Sequence, residues 1–170
     1  MNSRRHFIKS TGLLAAASLF TPTEVLSQNL ISEKGKIKPP ALKAGDTVAI
    51  TSPAGALWDD TQVETFTTIL KSFGFKVIHG KTLTEKFGYF AGTDELRANE
   101  LNELFANKNV KGIFCMKGGW GCARLLDKID YTLIEKNPKV LIGFSDITAL
   151  LIAITTKTGL ITFHGPVGNS

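Results

Sequence analysis

A chain of 170 residues with 43% hydrophobic side chains holds enough apolar material for one compact core, which excludes a disordered tail. Twenty Lys and Arg against 15 Asp and Glu give a formal net charge of +5. The cations are scattered among carboxylates and form no basic run interleaved with aromatics, so a nucleic-acid partner is disfavoured.

The N-terminus reads Ser3-Arg4-Arg5-His6-Phe7-Ile8-Lys9, followed by an apolar stretch from Gly12 to Phe20. That stretch is too short to span a bilayer as a helix and suits the apolar region of an export signal. With the paired arginines, residues 1–27 are expected to be a twin-arginine-type signal peptide cut near Ser27. This predicts a periplasmic protein with no stable membrane anchoring after cleavage; an uncleaved amphipathic anchor is the competing reading. Residues 28–40 are polar, end in Lys38-Pro39-Pro40, and read as a linker. Residues 41–170 then form the folded part.

Thr47 to Thr51 is a β-branched run and a first strand. Val63, Phe66, Leu70 and Phe73 fall on one helical face, with Gly74 as the stop. Phe75 to Ile78 reads as the next strand. Thr93-Asp94-Glu95 supplies a cap and first-turn negative charge for a helix whose stripe is Ala98, Leu101, Leu104 and Phe105. Gly112 to Met116 is a buried strand, Gly118-Gly119-Trp120-Gly121 a glycine turn, and Cys122 to Lys128 a helix. Val140 to Gly143 is a further strand, Asp146 to Thr158 a helix, and Ile161 to Phe163 a last strand. Apolar strands alternating with amphipathic helices predict an α/β fold with a doubly wound, mostly parallel sheet. Cys115 and Cys122 read as buried small hydrophobes and not as a disulfide.

Ligands of such sheets gather at the carboxyl ends of the strands. Two candidate turns lie there, Lys117 to Gly121 and Gly143-Phe144-Ser145-Asp146. A serine between a buried strand and a buried helix can project its hydroxyl toward substrate, with nearby N–H groups stabilising an oxyanion. The turn departs from G-x-S-x-G because Ile147 stands at the second glycine, and by local chemistry alone Ser145 reads as a helix N-cap ahead of a nucleophile. The glycine turn reads either as a plain tight turn or as the source of the Gly119 N–H for the same crevice. It is a poor dinucleotide loop, since Arg124 replaces the third glycine of G-x-G-x-x-G. His164 makes an implausible triad with Ser145 and the adjacent Asp146, and a structural or substrate-facing role is expected for it instead. No residues have metal-ligand spacing.

The stretches Ser52-Pro53-Ala54-Gly55, Gly88-Tyr89-Phe90-Ala91-Gly92-Thr93-Asp94, Lys117-Gly118-Gly119-Trp120-Gly121, Gly143 to Leu150 and His164-Gly165-Pro166 together resemble the L,D-carboxypeptidase family of serine peptidases, which includes microcin-immunity proteins. The resemblance runs from about Lys38 to Gly168 and implies Ser145 as nucleophile, with the Gly119 and Asp146 N–H groups as the oxyanion hole. It implies a substrate groove lined by Lys117, Gly118, Trp120 and His164; Lys117 stands where the family often has arginine, and a point charge does not replace a bidentate fork. The family draws its triad Glu and His from a C-terminal domain, so these 170 residues are expected to be a nearly inactive front half. The implied reaction, without a cofactor, removes the terminal D-alanine from a peptidoglycan tetrapeptide. A homodimer stays open. The rival readings are hydrolysis of peptide–nucleotide antibiotics, as in the immunity branch, and a non-catalytic α/β binding module in which Ser145 only caps a helix.

Overall fold

A computed structural model describes residues 35–168; the expected signal peptide, 1–27, and the expected linker as far as residue 34 lie outside the described residues. The fold is built on a five-stranded sheet, β1 (Thr47–Thr51), β2 (Lys76–His79), β3 (Val110–Cys115), β4 (Val140–Gly143) and β5 (Phe163–His164), in the order β2-β1-β3-β4-β5. Every pairing is parallel, so each connection must cross over the sheet, and the helices cover both faces. The strand order reverses between β1 and β3, and in sheets of this kind ligands bind in the crevice outside the carboxyl ends of the strands at such a switch point.

The helices are α1 (Thr61–Ser72), α2 (Asp94–Ala106), α3 (Tyr131–Lys136) and α4 (Thr148–Thr158). Successive side chains of β1 enter opposite faces of the sheet. Val48 and Ile50 meet Val63 and Leu70 of α1, whereas Ala49 joins Ile113 and Leu141 beneath Leu101, Ile134, Leu150 and Ile154 of the other three helices. Fully burying side chains of this kind contributes about 1.5–3 kcal/mol each. Thr93 caps α2 as expected, its hydroxyl accepting the Leu96 N–H at 3.2 Å.

Four sequence expectations shift. Cys122–Lys128 is a 3₁₀ helix. Its first amide is held by Asp146 and its last carbonyl by the Asn102 amide, and the greater rise per residue of a 3₁₀ helix lets seven residues reach between those ties. The short helix α3 has no counterpart among the expected elements, since six residues give too little periodicity; its signal is Asp130, whose carboxylate caps the Leu133 N–H at 2.8 Å. Phe73, expected on the buried face of α1, follows the helix end and is 65% exposed. The expected linker joins the fold before residue 41: Ile37 bridges to Leu160 and Pro39 is buried.

One buried polar network sets the end of β1. Glu100 lies on the same stripe of α2 as Leu101 and Leu104, yet its carboxylate is buried and accepts from the Thr51 and Thr82 hydroxyls at 2.6 Å each and from the Thr82 N–H at 3.0 Å. The Thr82 oxygen in turn accepts the Ser52 N–H at 2.8 Å. The loop that leaves β1 toward the crevice is thereby fixed at its first residue.

Candidate active site

All five of the stretches singled out in the sequence converge at the carboxyl end of the sheet. Gly55 N–H donates to the Gly118 carbonyl at 3.2 Å, Ala56 N–H to the Tyr89 carbonyl at 2.9 Å, and Gly165 N–H to the Gly143 carbonyl at 3.0 Å. These bonds join the loops after β1 and β3 to each other and to the segment preceding α2, and the end of β5 to that of β4.

Ser145 sits in a three-residue 3₁₀ turn, Ser145–Ile147, between β4 and α4. Its φ is +59°, and among the described residues it is the one non-glycine with positive φ. An L-residue pays for this conformation with contact between Cβ and its own backbone, and such strain collects at functional sites. The bend is tight enough to require a glycine before it: a Cβ on Gly143 would lie 2.3 Å from the Ile147 Cγ2. The side chain of Ser145 is exposed and makes no capping hydrogen bond, and the position before α4 is Ile147. The expected alternative in which Ser145 caps a helix therefore fails on geometry.

The glycine turn presses against this serine. A Cβ on Gly118 would lie 3.0 Å from the Ser145 Cβ and 3.4 Å from its Oγ. Gly119 has φ +122°, and a side chain there would meet the Tyr89 hydroxyl at 2.2 Å, so both backbone and space demand glycine. The exposed Gly119 N–H has no hydrogen-bond partner among the described residues. In the serine turn the first bond back along the chain runs from the Ile147 N–H to the Phe144 carbonyl at 3.2 Å, so the turn leaves the Asp146 N–H unclaimed. Two amides without a partner among the described residues thus lie on the two turns that meet at an exposed hydroxyl.

The remaining expected residues are distributed as follows. Trp120 is 53% exposed, stacks on Tyr89 with ring centroids 5.6 Å apart, and takes the edge of Phe90 at 4.6 Å. Lys117 donates to the Ala56 carbonyl at 2.9 Å, so its ammonium braces the neighbouring loop. His164 tilts against Phe144 at 5.0 Å and lines a groove of about 260 Å³ along α4 with Thr148, Leu151 and Thr155. No hydrogen bond joins it to Ser145 among the described residues. Cys115 and Cys122 are free buried thiols, and burial pushes Cys115 up to about 12. Among the described residues no group of three His, Cys, Asp or Glu is placed to hold a metal ion.

Sequence reasoning missed the charged brace behind the aromatics. Arg97, fully buried on α2, donates to the Pro53 carbonyl at 2.6 Å, to Gly92 at 3.2 Å, and to the Asp94 carboxylate. Arg124 joins the same carboxylate at 2.7 Å. The bond from Arg124, with the charge of both guanidiniums, holds the Asp94 carboxyl below its ordinary range. Both guanidiniums lie over the Phe90 ring, at 4.8 and 5.3 Å. The signal was the placement of Arg97 beside Ala98 on the buried stripe. Also missed was the Asp146 side chain, which accepts the Cys122 N–H at 2.8 Å; burial, reinforced by this carboxylate, raises the Cys122 thiol far above its usual range.

Comparison with known proteins gives this geometry a family. The model described as the LD-carboxypeptidase N-terminal domain matches residues 48–165. A probable murein peptide carboxypeptidase of Bacillus subtilis is 44% identical over 130 residues, covering 76% of this chain and 40% of that protein. The microcin C7 self-immunity protein MccF of Escherichia coli is 40% identical over 127 residues, covering 74% of this chain and 37% of that protein. A solved MccF structure in its apo state has a TM-score of 0.74 at 38% identity, covering 77% of this chain and 40% of that one. The muramoyltetrapeptide carboxypeptidase of Oxalobacter formigenes has a TM-score of 0.66 at 31% identity, covering 73% of this chain and 41% of that one. The chain thus spans about 40% of the length of these relatives. With most of its length matched by the family model and the same fold in solved relatives, this chain belongs to the LD-carboxypeptidase family, through its N-terminal domain.

Proposed function

We propose that this chain carries the nucleophile half of a serine-type L,D-carboxypeptidase that removes the terminal D-alanine from peptidoglycan tetrapeptides. The observation that carries the reading is Ser145: an exposed hydroxyl on a positive-φ turn, beside two unclaimed amides. In this reading the Ser145 Oγ attacks the carbonyl carbon of the amide between the L-centre of the third residue and D-alanine. The carbonyl oxygen becomes an oxyanion held by the Gly119 and Asp146 N–H groups. Collapse of this intermediate breaks the C–N bond and releases D-alanine with a proton on its amine; water then hydrolyses the acyl-serine. Trp120 forms a wall of the groove, with Lys117, Gly118 and His164 at its edges.

Serine needs a general base and an oriented imidazole to attack at neutral pH. His164 packs on Phe144, and Asp146 is held by Cys122, so neither is arranged to serve Ser145. The base and its orienting carboxylate come, in this proposal, from a further domain, and the 170 residues alone turn substrate over near background. The twin-arginine-type start supports action in the periplasm. A reporter fused behind residues 1–27 tests that location: it reaches the periplasm, and replacing Arg4 and Arg5 by Lys keeps it inside.

Similarity to MccF favours one second reading, cleavage of a peptide–nucleotide conjugate. One experiment separates the two: the full-length protein and its S145A variant are incubated with a disaccharide tetrapeptide and with a peptide–nucleotide, and released products are quantified. D-Alanine release by the parent and none by S145A supports the carboxypeptidase. Cleavage of the nucleotide conjugate alone supports the second reading, and unchanged turnover by S145A contradicts both.

A further inference from the structure

The glycine turn carries three glycines in four residues, Gly118, Gly119 and Gly121, and two of them have positive φ. Such a segment loses more conformational entropy on ordering than a glycine-free one of its length, so it holds one geometry only if it is tied. On its N-terminal side the tie is the Gly118 carbonyl, which accepts the Gly55 N–H. From the side, the Tyr89 hydroxyl and the stacked Tyr89–Trp120 pair limit where Gly119 can go. On its C-terminal side the tie is the Asp146 carboxylate, which accepts the Cys122 N–H at 2.8 Å. That last tie comes from the residue adjoining Ser145, on the other strand-to-helix connection.

We infer that Asp146 acts twice: its own N–H faces the oxyanion, and its carboxylate, by holding the Cys122 amide, sets the position of the turn that presents the Gly119 N–H. The side chain is a positioning residue, acting through the turn and not on substrate. It fixes the separation of the two amides from a single residue, so the oxyanion site keeps its spacing even if β3 and β4 shift slightly against each other. This deepens the assignment of Ser145 as nucleophile and rests on it.

The test compares D146A, D146N and S145A in the full-length protein with a disaccharide tetrapeptide as substrate. D146A keeps the residue-146 N–H, so any loss belongs to the side chain. The tether predicts that D146A lowers kcat about 100-fold or more, the size seen when an oxyanion donor is removed, with KM changed less than about threefold. D146N, which retains an acceptor oxygen, recovers at least about tenfold of that loss. Hydrogen exchange at the Cys122 amide speeds up in D146A and is unchanged in S145A. A kcat for D146A within about threefold of the parent, or an unchanged Cys122 exchange rate, overturns the inference while leaving the nucleophile reading intact. A D146A protein that is less stable yet keeps its kcat when folded marks a structural role and also overturns it. If D146A does not fold, D146S decides, since its shorter side chain cannot reach the Cys122 amide in the same way: slower turnover with faster Cys122 exchange supports the tether, and parent values of both overturn it. Turnover by S145A equal to the parent removes the nucleophile reading and this inference with it.

Discussion

Replacing Ser145 by glycine should stabilise the fold while destroying its proposed chemistry. At φ +59° a residue with a Cβ carries roughly 1–2 kcal/mol of strain, which glycine does not feel. Glycine also gains about 0.4–1 kcal/mol of entropy in the unfolded chain, which works the other way. No hydrogen bond of the Ser145 hydroxyl offsets either contribution among the described residues, and the side chain is exposed. At mid-range the difference leaves S145G more stable by about 0.8 kcal/mol. S145A keeps the Cβ and therefore the strain, and loses only an exposed hydroxyl, so its stability stays within about 0.5 kcal/mol of the parent. Equilibrium unfolding in urea at pH 7 resolves the two, since with a slope of about 1–3 kcal/mol per molar the S145G midpoint moves up by about 0.2–1 M. A serine that capped a helix would instead cost about 1 kcal/mol on replacement by alanine. An S145G protein less stable than the parent, or an S145A protein weakened by about 1 kcal/mol, refutes the strained bend.

Substitutions at three further positions probe the supports of the site and the amino-terminal end of the sheet. G143A places a methyl 2.3 Å from the Ile147 Cγ2 and should cost about 1–3 kcal/mol; I147A in the same chain recovers only part, because the Ile147 Cβ would remain 2.8 Å away. A loss below about 0.5 kcal/mol in urea unfolding would mean that the bend has more room than the geometry gives it. E100A leaves the Thr82 N–H and one of the two threonine hydroxyls without an acceptor, since those hydroxyls lie 3.2 Å apart and can bond each other, and should cost about 2–4 kcal/mol, whereas E100Q, which keeps an acceptor, should cost less than about half as much; equal losses in thermal unfolding would contradict the network. Lys139 is buried with its ammonium on the Asn107 and Val110 carbonyls, and burial, with Lys111 and Lys108 nearby, lowers it to about 8. A base lowered in the folded state binds fewer protons there than when unfolded. Stability therefore rises with pH between about 8 and the ordinary lysine value, by about 1 kcal/mol per pH unit from this group. Unfolding of K139M compared with the parent at about pH 8, 9 and 10 should lack that rise, and parallel profiles would contradict it.

Much of the fold was legible because its signals are local and repeated. The apolar runs of β1, β3 and β4 and the stripes of α2 and α4 follow from the burial of a parallel sheet on both faces. The serine turn was legible too, since a glycine followed by a serine between two buried elements leaves few backbone solutions. Its capping role was not resolvable from the residues, because Ser145 as cap and Ser145 as strained bend have the same neighbours in sequence. What escaped depends on partners distant along the chain. Asp146 reaches Cys122 across 24 residues, Arg97 reaches Pro53 across 44, and Glu100 reaches Thr51 across 49. Charged residues on an apolar stripe hint at burial, but their partners become visible only when the strands are laid side by side. The 3₁₀ segment Cys122–Lys128 escaped as well, and its ends are tied to Asp146 and Asn102, far from it in sequence.

The most direct test of Ser145 as nucleophile is chemical capture of the covalent intermediate. The full-length protein is mixed with a disaccharide tetrapeptide, quenched in acid within milliseconds to seconds, digested and analysed by mass spectrometry. The expected result is an acyl adduct on the peptide containing Ser145, adding the mass of the substrate less that of D-alanine, and no adduct in S145A. Release of D-alanine at the parent rate with no adduct on that peptide, or with an adduct on another residue, would contradict it.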